Sequence, residues 1–241
     1  MSHATRCPDR SLEIFLEKFL EVPSHAFVVV VVLLAGAACE KPELTVDVLP
    51  PRTSISCAAP GANEPALSSG VFDLGVVDRG VGYRADLRFT LPAADARVEG
   101  IRIDFSSTDQ ELHEVVSDKG DEISTGGVSL VGDGDDIRTA ILENVSLLTA
   151  AVADDILDDD VGADITQRQR LPLGIDIKPL LREDGISVSS AHFSLELCHG
   201  CLVDAPSDDV CPYGSVFNTS LCRPGQDLAS YSCLAAPANG G

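Results

Sequence analysis

The chain has no tryptophan, one methionine, three tyrosines and eight phenylalanines. Any core it builds is therefore aliphatic, made of Val, Leu, Ile and Ala. Positive charge is also scarce: 17 Lys and Arg stand against 38 Asp and Glu, for a formal charge of −21 over 241 residues. Binding a nucleic-acid backbone requires clustered Lys and Arg that neutralise phosphates, and this balance argues against it, as it does against electrostatic adhesion to anionic lipid. It points to a strongly solvated surface, or in a sharper form to an acidic patch for cations or basic partners. Catalytic signatures are missing too. No GxSxG elbow, HExxH helix, phosphate loop or dinucleotide fingerprint occurs. Repeats of roughly twenty to fifty residues, which would indicate a solenoid or propeller, are absent as well. His113, His192 and His199 accompany no recognisable nucleophile, so the expectation is a non-enzyme with no cofactor.

Nor is there an apolar run long enough to span a bilayer. The longest, AFVVVVVLLAGAA from Ala26 to Ala38, has thirteen residues. As a helix it reaches roughly 20 Å, against about 30 Å of hydrocarbon. Its length and its small-residue close (Ala35, Gly36, Ala37, Ala38) are those of a signal-peptide apolar region with a cleavage site. Cys39 follows at once. LLAGAAC resembles the bacterial lipobox, in which the cysteine thiol receives a diacylglycerol and becomes the new N-terminus. One position departs from that pattern: Gly36 stands where leucine is commonest. The resemblance implies a leader over 1–38, lipidation at Cys39 and a membrane partner reached through acyl chains; plain secretion and a buried core strand are the alternatives.

With export expected, the thiols can be counted. Of eight cysteines, Cys7 falls in the leader and Cys39 is taken by lipid. Six remain: Cys57, Cys198, Cys201, Cys211, Cys222 and Cys233. An even number in an oxidising compartment implies three disulfides, and six cysteines allow fifteen pairings. The pair in CHGC, Cys198 and Cys201, has other readings. Zinc would want a second paired motif, which the later spacing does not supply, so no metal is assigned. A redox-active dithiol should open a helix, yet LVDAPSDDVCPYG after Cys201 is turn-rich. Residues 199–241 carry too few apolar side chains to fold by burial, so cross-links are needed there. Cys57 has no near partner and is expected to close a long loop back to this tail.

Residues 39–70, rich in Pro, Ser and Ala, read as a lipidated N-terminus and tether, with ELTVDVL as an added edge strand. From 71 to 198 alternation dominates. Tyr83, Ala85, Leu87, Phe89 and Leu91 share one face, as do Ile101, Ile103 and Phe105. Leu171, Leu173, Ile175 and Ile177 form another such face, and Ala191, Phe193, Leu195 and Leu197 a fourth. A period of two with one polar side predicts antiparallel sheet, and the number of runs predicts an immunoglobulin-like β-sandwich of seven or eight strands. IRTAILENVSLLTAAVADDIL is the exception: Ile141, Val145, Leu148, Val152 and Ile156 recur at helical spacing, predicting one amphipathic helix capped by Asp135 or Asp136. The fold class is thus mainly β, with one helix and a disulfide-rich tail over 199–241.

CHGCL and the later CRPGQDLASYSC resemble predicted, largely uncharacterised Cys-rich lipoproteins of Gram-negative bacteria. The matching positions are Cys198, Gly200, Cys201, Leu202, Cys222, Pro224, Gly225, Gln226, Asp227 and Cys233. Likeness is closest over the last quarter of the chain. It implies a β-rich domain at the cell envelope, at the outer membrane, and says nothing of chemistry. The resulting expectation is a non-catalytic lipoprotein with a binding or structural role, its protein or glycan partner unidentified. Two rivals stand beside it. One is an envelope thiol–disulfide oxidoreductase using Cys198 and Cys201. The other is an acidic calcium-binding or adhesion module built on GDGDD (Gly132–Asp136) and DDILDDD (Asp154–Asp160).

Overall fold

Alternating sequence becomes strand wherever a neighbouring strand can pair with it. In the computed structural model the described residues are 41–52, 57–58, 60–92, 94–132, 136–159, 170–202, 216–217, 222–223, 225–227 and 233–234. Their strands are β1 (Glu43–Val48), β2 (Ser69–Asp73), β3 (Tyr83–Pro92), β4 (Ala96–Ser106), β5 (Asp121–Leu130), β6 (Ile137–Leu148), β7 (Leu171–Leu181), β8 (Ser187–Val188), β9 (Ala191–Cys198), β10 (Val216–Phe217) and β11 (Cys233–Leu234). A 3₁₀ turn runs Leu74–Arg79, and two helices, α1 (Gln110–Val116) and α2 (Ala150–Asp158), complete the set. None of the described helices is long and apolar enough to cross a membrane.

The fold is mainly β, in two principal sheets. One has four strands in the order β6-β3-β1-β8, the other five in the order β2-β9-β7-β4-β5, and β10 pairs with β11 in a small ribbon. Most pairings are antiparallel, but β2 runs parallel to β9, and β1 parallel to β8. A single hydrophobic core takes side chains from both principal sheets. Leu87, Phe89 and Leu91 of β3 meet Ile101 and Ile103 of β4, Leu173, Ile175 and Ile177 of β7, and Phe193, Leu195 and Leu197 of β9 there, all buried. These are the inward faces that the period of two picks out. With tryptophan absent, Phe72, Phe89, Phe193 and Tyr83 are the bulkiest fully buried groups among the described residues.

The stretch 137–157 is not one helix. Ile137–Leu148 is β6, paired with β3 from Pro92↔Ile137 to Tyr83↔Leu148, and only Ala150–Asp158 is helical. A β-bulge explains the misleading spacing. Ala85 pairs with Val145 and Leu87 with Leu142, so Glu143 and Asn144 lie opposite Asp86 alone. The extra residue shifts the inward phase between Leu142 and Val145 and imitates a helical interval. Asn144 takes a left-handed φ of 60° to make the bulge. Pairing with β3 then overrides local periodicity. The cap of α2 is Thr149, whose hydroxyl accepts the Val152 N–H at 3.3 Å; the expected cap Asp136 instead precedes β6, and Asp135 lies outside the described residues.

A second helix, α1, was not expected. Asp109 caps it by accepting the Leu112 N–H at 2.9 Å, and Leu112 and Val116, one turn apart, are buried. Both signals stand in SSTDQELHEVV, but the segment is only seven residues long. Glu43–Val48 lies within the stretch expected to be a tether and edge strand. It forms β1, between β3 and β8, with Leu44, Val46 and Val48 buried. Its weak alternation suffices because β3 offers a complete ladder partner.

Candidate functional site

The cysteines of CHGC end β9. Cys198 is fully buried, Cys201 half-buried, and a disulfide joins them with Cα atoms 6.0 Å apart. Asp73, at the end of β2, organises this loop. Parallel pairing sets Asp73 beside Cys198. One carboxylate oxygen of Asp73 accepts the N–H groups of Gly75 at 2.9 Å and Gly200 at 2.8 Å, and the other accepts the Leu202 N–H at 2.8 Å. The same side chain therefore caps the 3₁₀ turn and holds the disulfide loop. Gly200 has a φ of 70°, the left-handed conformation that this turn requires and glycine adopts without strain. Cys198 Sγ lies 3.6 Å from the Phe72 carbonyl oxygen. A negative carboxylate and a carbonyl oxygen beside a buried sulfur oppose a thiolate, which is the reverse of what an attacking cysteine requires.

The second disulfide joins Cys57 to Cys222 across 165 residues, with Cα atoms 5.5 Å apart. In the chain-entropy account a loop of that size stabilises the fold by about 5 kcal/mol. Beside it lies Asp86, fully buried at the β3 bulge. Its carboxylate accepts Arg52 Nε at 3.0 Å, Arg52 Nη2 at 2.9 Å, Arg223 Nη2 at 2.8 Å and the Asn144 N–H at 2.6 Å. Arg52 also reaches Glu143 at 2.6 Å and the Cys57 carbonyl at 3.0 Å. Burial pushes the Asp86 carboxyl up, but the hydrogen bonds from Arg52, Asn144 and Arg223 together outweigh it and hold the group below the usual range. One carboxylate thus ties Arg223, the neighbour of Cys222, and Arg52, which holds the Cys57 carbonyl, to the strand beneath.

Tail residues 225–227 continue inward from this knot. Gly225 O accepts the Asp73 N–H at 2.9 Å, and the Asp227 N–H donates to Val71 O at 2.7 Å, forming a short antiparallel bridge on the outer side of β2. Gln226 is buried and spans to the other sheet: its Nε2 donates to Gly82 O at 2.7 Å and its Oε1 accepts the Arg84 N–H at 3.1 Å. Asp227 accepts the Val71 N–H and the Tyr83 hydroxyl, each at 3.1 Å. Burial raises the Asp227 carboxyl, and burial together with Asp227 raises the Tyr83 phenol well above its ordinary value. There is no room for a larger residue at Gly70, where a Cβ would come 2.5 Å from both Asp227 Oδ1 and Tyr83 Oη.

At another place on the surface two open clefts have acidic walls. One, of about 420 Å³, lies among Arg102, Asp104, Asp118, Asp121 and Glu122. The other, of about 400 Å³, lies between the helices, among Glu114, Asp118, Asp155, Asp158 and Asp159. Acidic residues at the end of α2 oppose its dipole, and Lys119 answers this from beyond α1 by pairing with Asp155 at 2.8 Å.

The expected site residues divide accordingly. Cys57, Cys198, Cys201 and Cys222 are in disulfides. Cys233 is described only through its backbone in β11, and Cys39, Cys211, Asp133, Asp135 and Asp160 lie outside the described residues. His192 is exposed on β9, its Nδ1 3.0 Å from Asp176 Oδ1. Asp73 and Asp86 had no sequence signal as anchors. Gln226 and Asp227 appeared only as positions in a resemblance. A comparison with protein-family models and a search of curated proteins both find no match for this chain.

Proposed function

We propose that this chain is a non-catalytic, extracytoplasmic lipoprotein of the Gram-negative envelope, anchored through acyl chains on Cys39 and placed at the outer membrane. Its role is binding or structural support. The observation that carries this reading is the Cys57–Cys222 disulfide, which clamps the two ends of the folded body across 165 residues. A cross-link of that kind persists in an oxidising compartment and not in a reducing cytosol. The same reading takes the two sheets as an immunoglobulin-like sandwich, a rigid carrier for exposed loops. It is supported by their shared core and mostly antiparallel pairing. Against the oxidoreductase alternative stands the Asp73 carboxylate beside the buried Cys198.

The test is expression in a Gram-negative host with intact-mass analysis and labelling by a tagged fatty acid. A chain beginning at Cys39 with a diacylglyceryl and an N-acyl group is expected, and Cys39→Ser should lose both label and membrane fractionation. An unprocessed, unlabelled chain with free thiols would refute the proposal.

A further inference from the structure

Zinc wants more than one CxxC pair, and a second pair is missing from the sequence. Parallel pairing of β2 with β9 supplies what spacing could not. It sets Asp73 beside Cys198, so that one Asp73 carboxylate oxygen, Cys198 Sγ and Cys201 Sγ all lie within 4.8 Å of one another. Ligands of one tetrahedral zinc ion stand about 3.5–3.8 Å apart, from metal bonds of about 2.0–2.3 Å. Small side-chain movements after cleavage of the sulfur–sulfur bond would therefore suffice. A second feature points the same way. Asp73 is fully buried, yet among the described residues no lysine or arginine pairs with it; only the N–H groups of Gly75, Gly200 and Leu202 do. Among the described residues, the oxygen that accepts Leu202 N–H takes that one hydrogen bond, and a carboxylate oxygen has two lone pairs to offer. Those N–H groups also lock the carboxylate, as outer hydrogen bonds do for metal ligands.

We infer that Asp73, Cys198 and Cys201 form a redox-gated site for a thiophilic divalent cation such as zinc, closed by the Cys198–Cys201 disulfide and opened by its reduction. The reductant is a dithiol. It transfers two electrons and two protons to the Cys198–Cys201 bond, leaving two cysteine thiols and becoming a disulfide itself. Zinc then displaces both thiol protons to solvent and takes the Asp73 oxygen as third ligand. The half-buried side of Cys201 leaves the fourth position to water. Without the ion, Asp73 repels a thiolate. With it, two thiolates and a carboxylate balance a double positive charge to within one unit. The same carboxylate thus disfavours a catalytic cysteine and favours a metal. The inference goes beyond the proposed lipoprotein role and does not depend on acylation.

Cobalt(II) substitution on the full chain tests it. After anaerobic reduction with a non-chelating phosphine, cobalt should produce thiolate charge-transfer and tetrahedral d–d absorption at one ion per chain, bleached by one equivalent of zinc. The oxidised chain should show neither band. Cys57→Ser/Cys222→Ser should keep the signal, and Cys198→Ser/Cys201→Ser should abolish it. Asp73→Asn should weaken zinc binding at least tenfold. Because that variant removes a structural anchor, zinc-edge X-ray absorption on the unmutated chain is read beside it: two sulfurs with oxygen neighbours are expected. A four-sulfur shell, a signal that survives loss of Cys198 and Cys201, no thiolate band, or loss of the sheet on reduction would each overturn the inference.

Discussion

Replacing Asp86 with alanine should be among the most damaging single changes in the chain. The carboxylate is fully buried and accepts from two guanidinium groups whose side chains are 16% and 10% exposed, Arg52 and Arg223, as well as from the Asn144 N–H. Its removal leaves two largely buried cations and one backbone donor without their acceptor. Breaking a buried pair from one side costs about 3–5 kcal/mol, a large fraction of the 5–15 kcal/mol typical of a folded domain. Arg52 keeps Glu143 as a second partner, which places the expected loss near the lower end, at about 3 kcal/mol. Urea denaturation with disulfides intact measures it. Asp86→Asn retains one acceptor oxygen and should lose less at neutral pH. The folded-state carboxyl lies below its unfolded value, so its stabilisation is complete above about pH 4 and disappears as pH falls through the folded value. The gap between the native chain and Asp86→Asn should therefore close on acidification. A loss below about 1 kcal/mol for Asp86→Ala, the level of an exposed ion pair, would refute the buried-hub reasoning.

The remaining predictions concern the tail. Cys57→Ser/Cys222→Ser should lower stability by up to about 5 kcal/mol in thermal or urea unfolding; a loss near zero would mean that packing alone holds the tail. Gln226→Ala strips partners from Gly82 O and the Arg84 N–H, with an expected cost of about 2–4 kcal/mol and faster amide exchange at Arg84. Unchanged exchange there would contradict the bridge. Asp227 works opposite to Asp86. Burial raises its folded-state carboxyl, so its contribution is present below the unfolded value and is lost as pH rises through the raised one. The native chain should thus lose ground to Asp227→Asn as pH rises from acid to neutral, and a pH-independent difference would contradict this.

Sequence by itself determined the sheet class and the faces of its strands, because a period of two leaves one side for the core. Tyr83 to Leu91, Ile101 to Phe105, Leu171 to Ile177 and Ala191 to Leu197 could be read that way without coordinates. It also pointed to cross-linking of the thiols, which Cys57, Cys198, Cys201 and Cys222 show. Tertiary structure alone decided the rest. A bulge opposite Asp86 turned a helical interval into β6, since one extra residue shifts the phase of a strand and no local signal marks it. Asp86 reads as a wet-face residue of YRADLRFTL, and it is buried because Arg52 and Arg223, 34 and 137 positions away, cover it. Asp73 meets CHGC only because β2 and β9 run parallel across 125 positions. Spacing along a chain reports which side of its own element a residue faces; what covers that side is decided by elements far off in sequence, through contacts that leave no periodic trace.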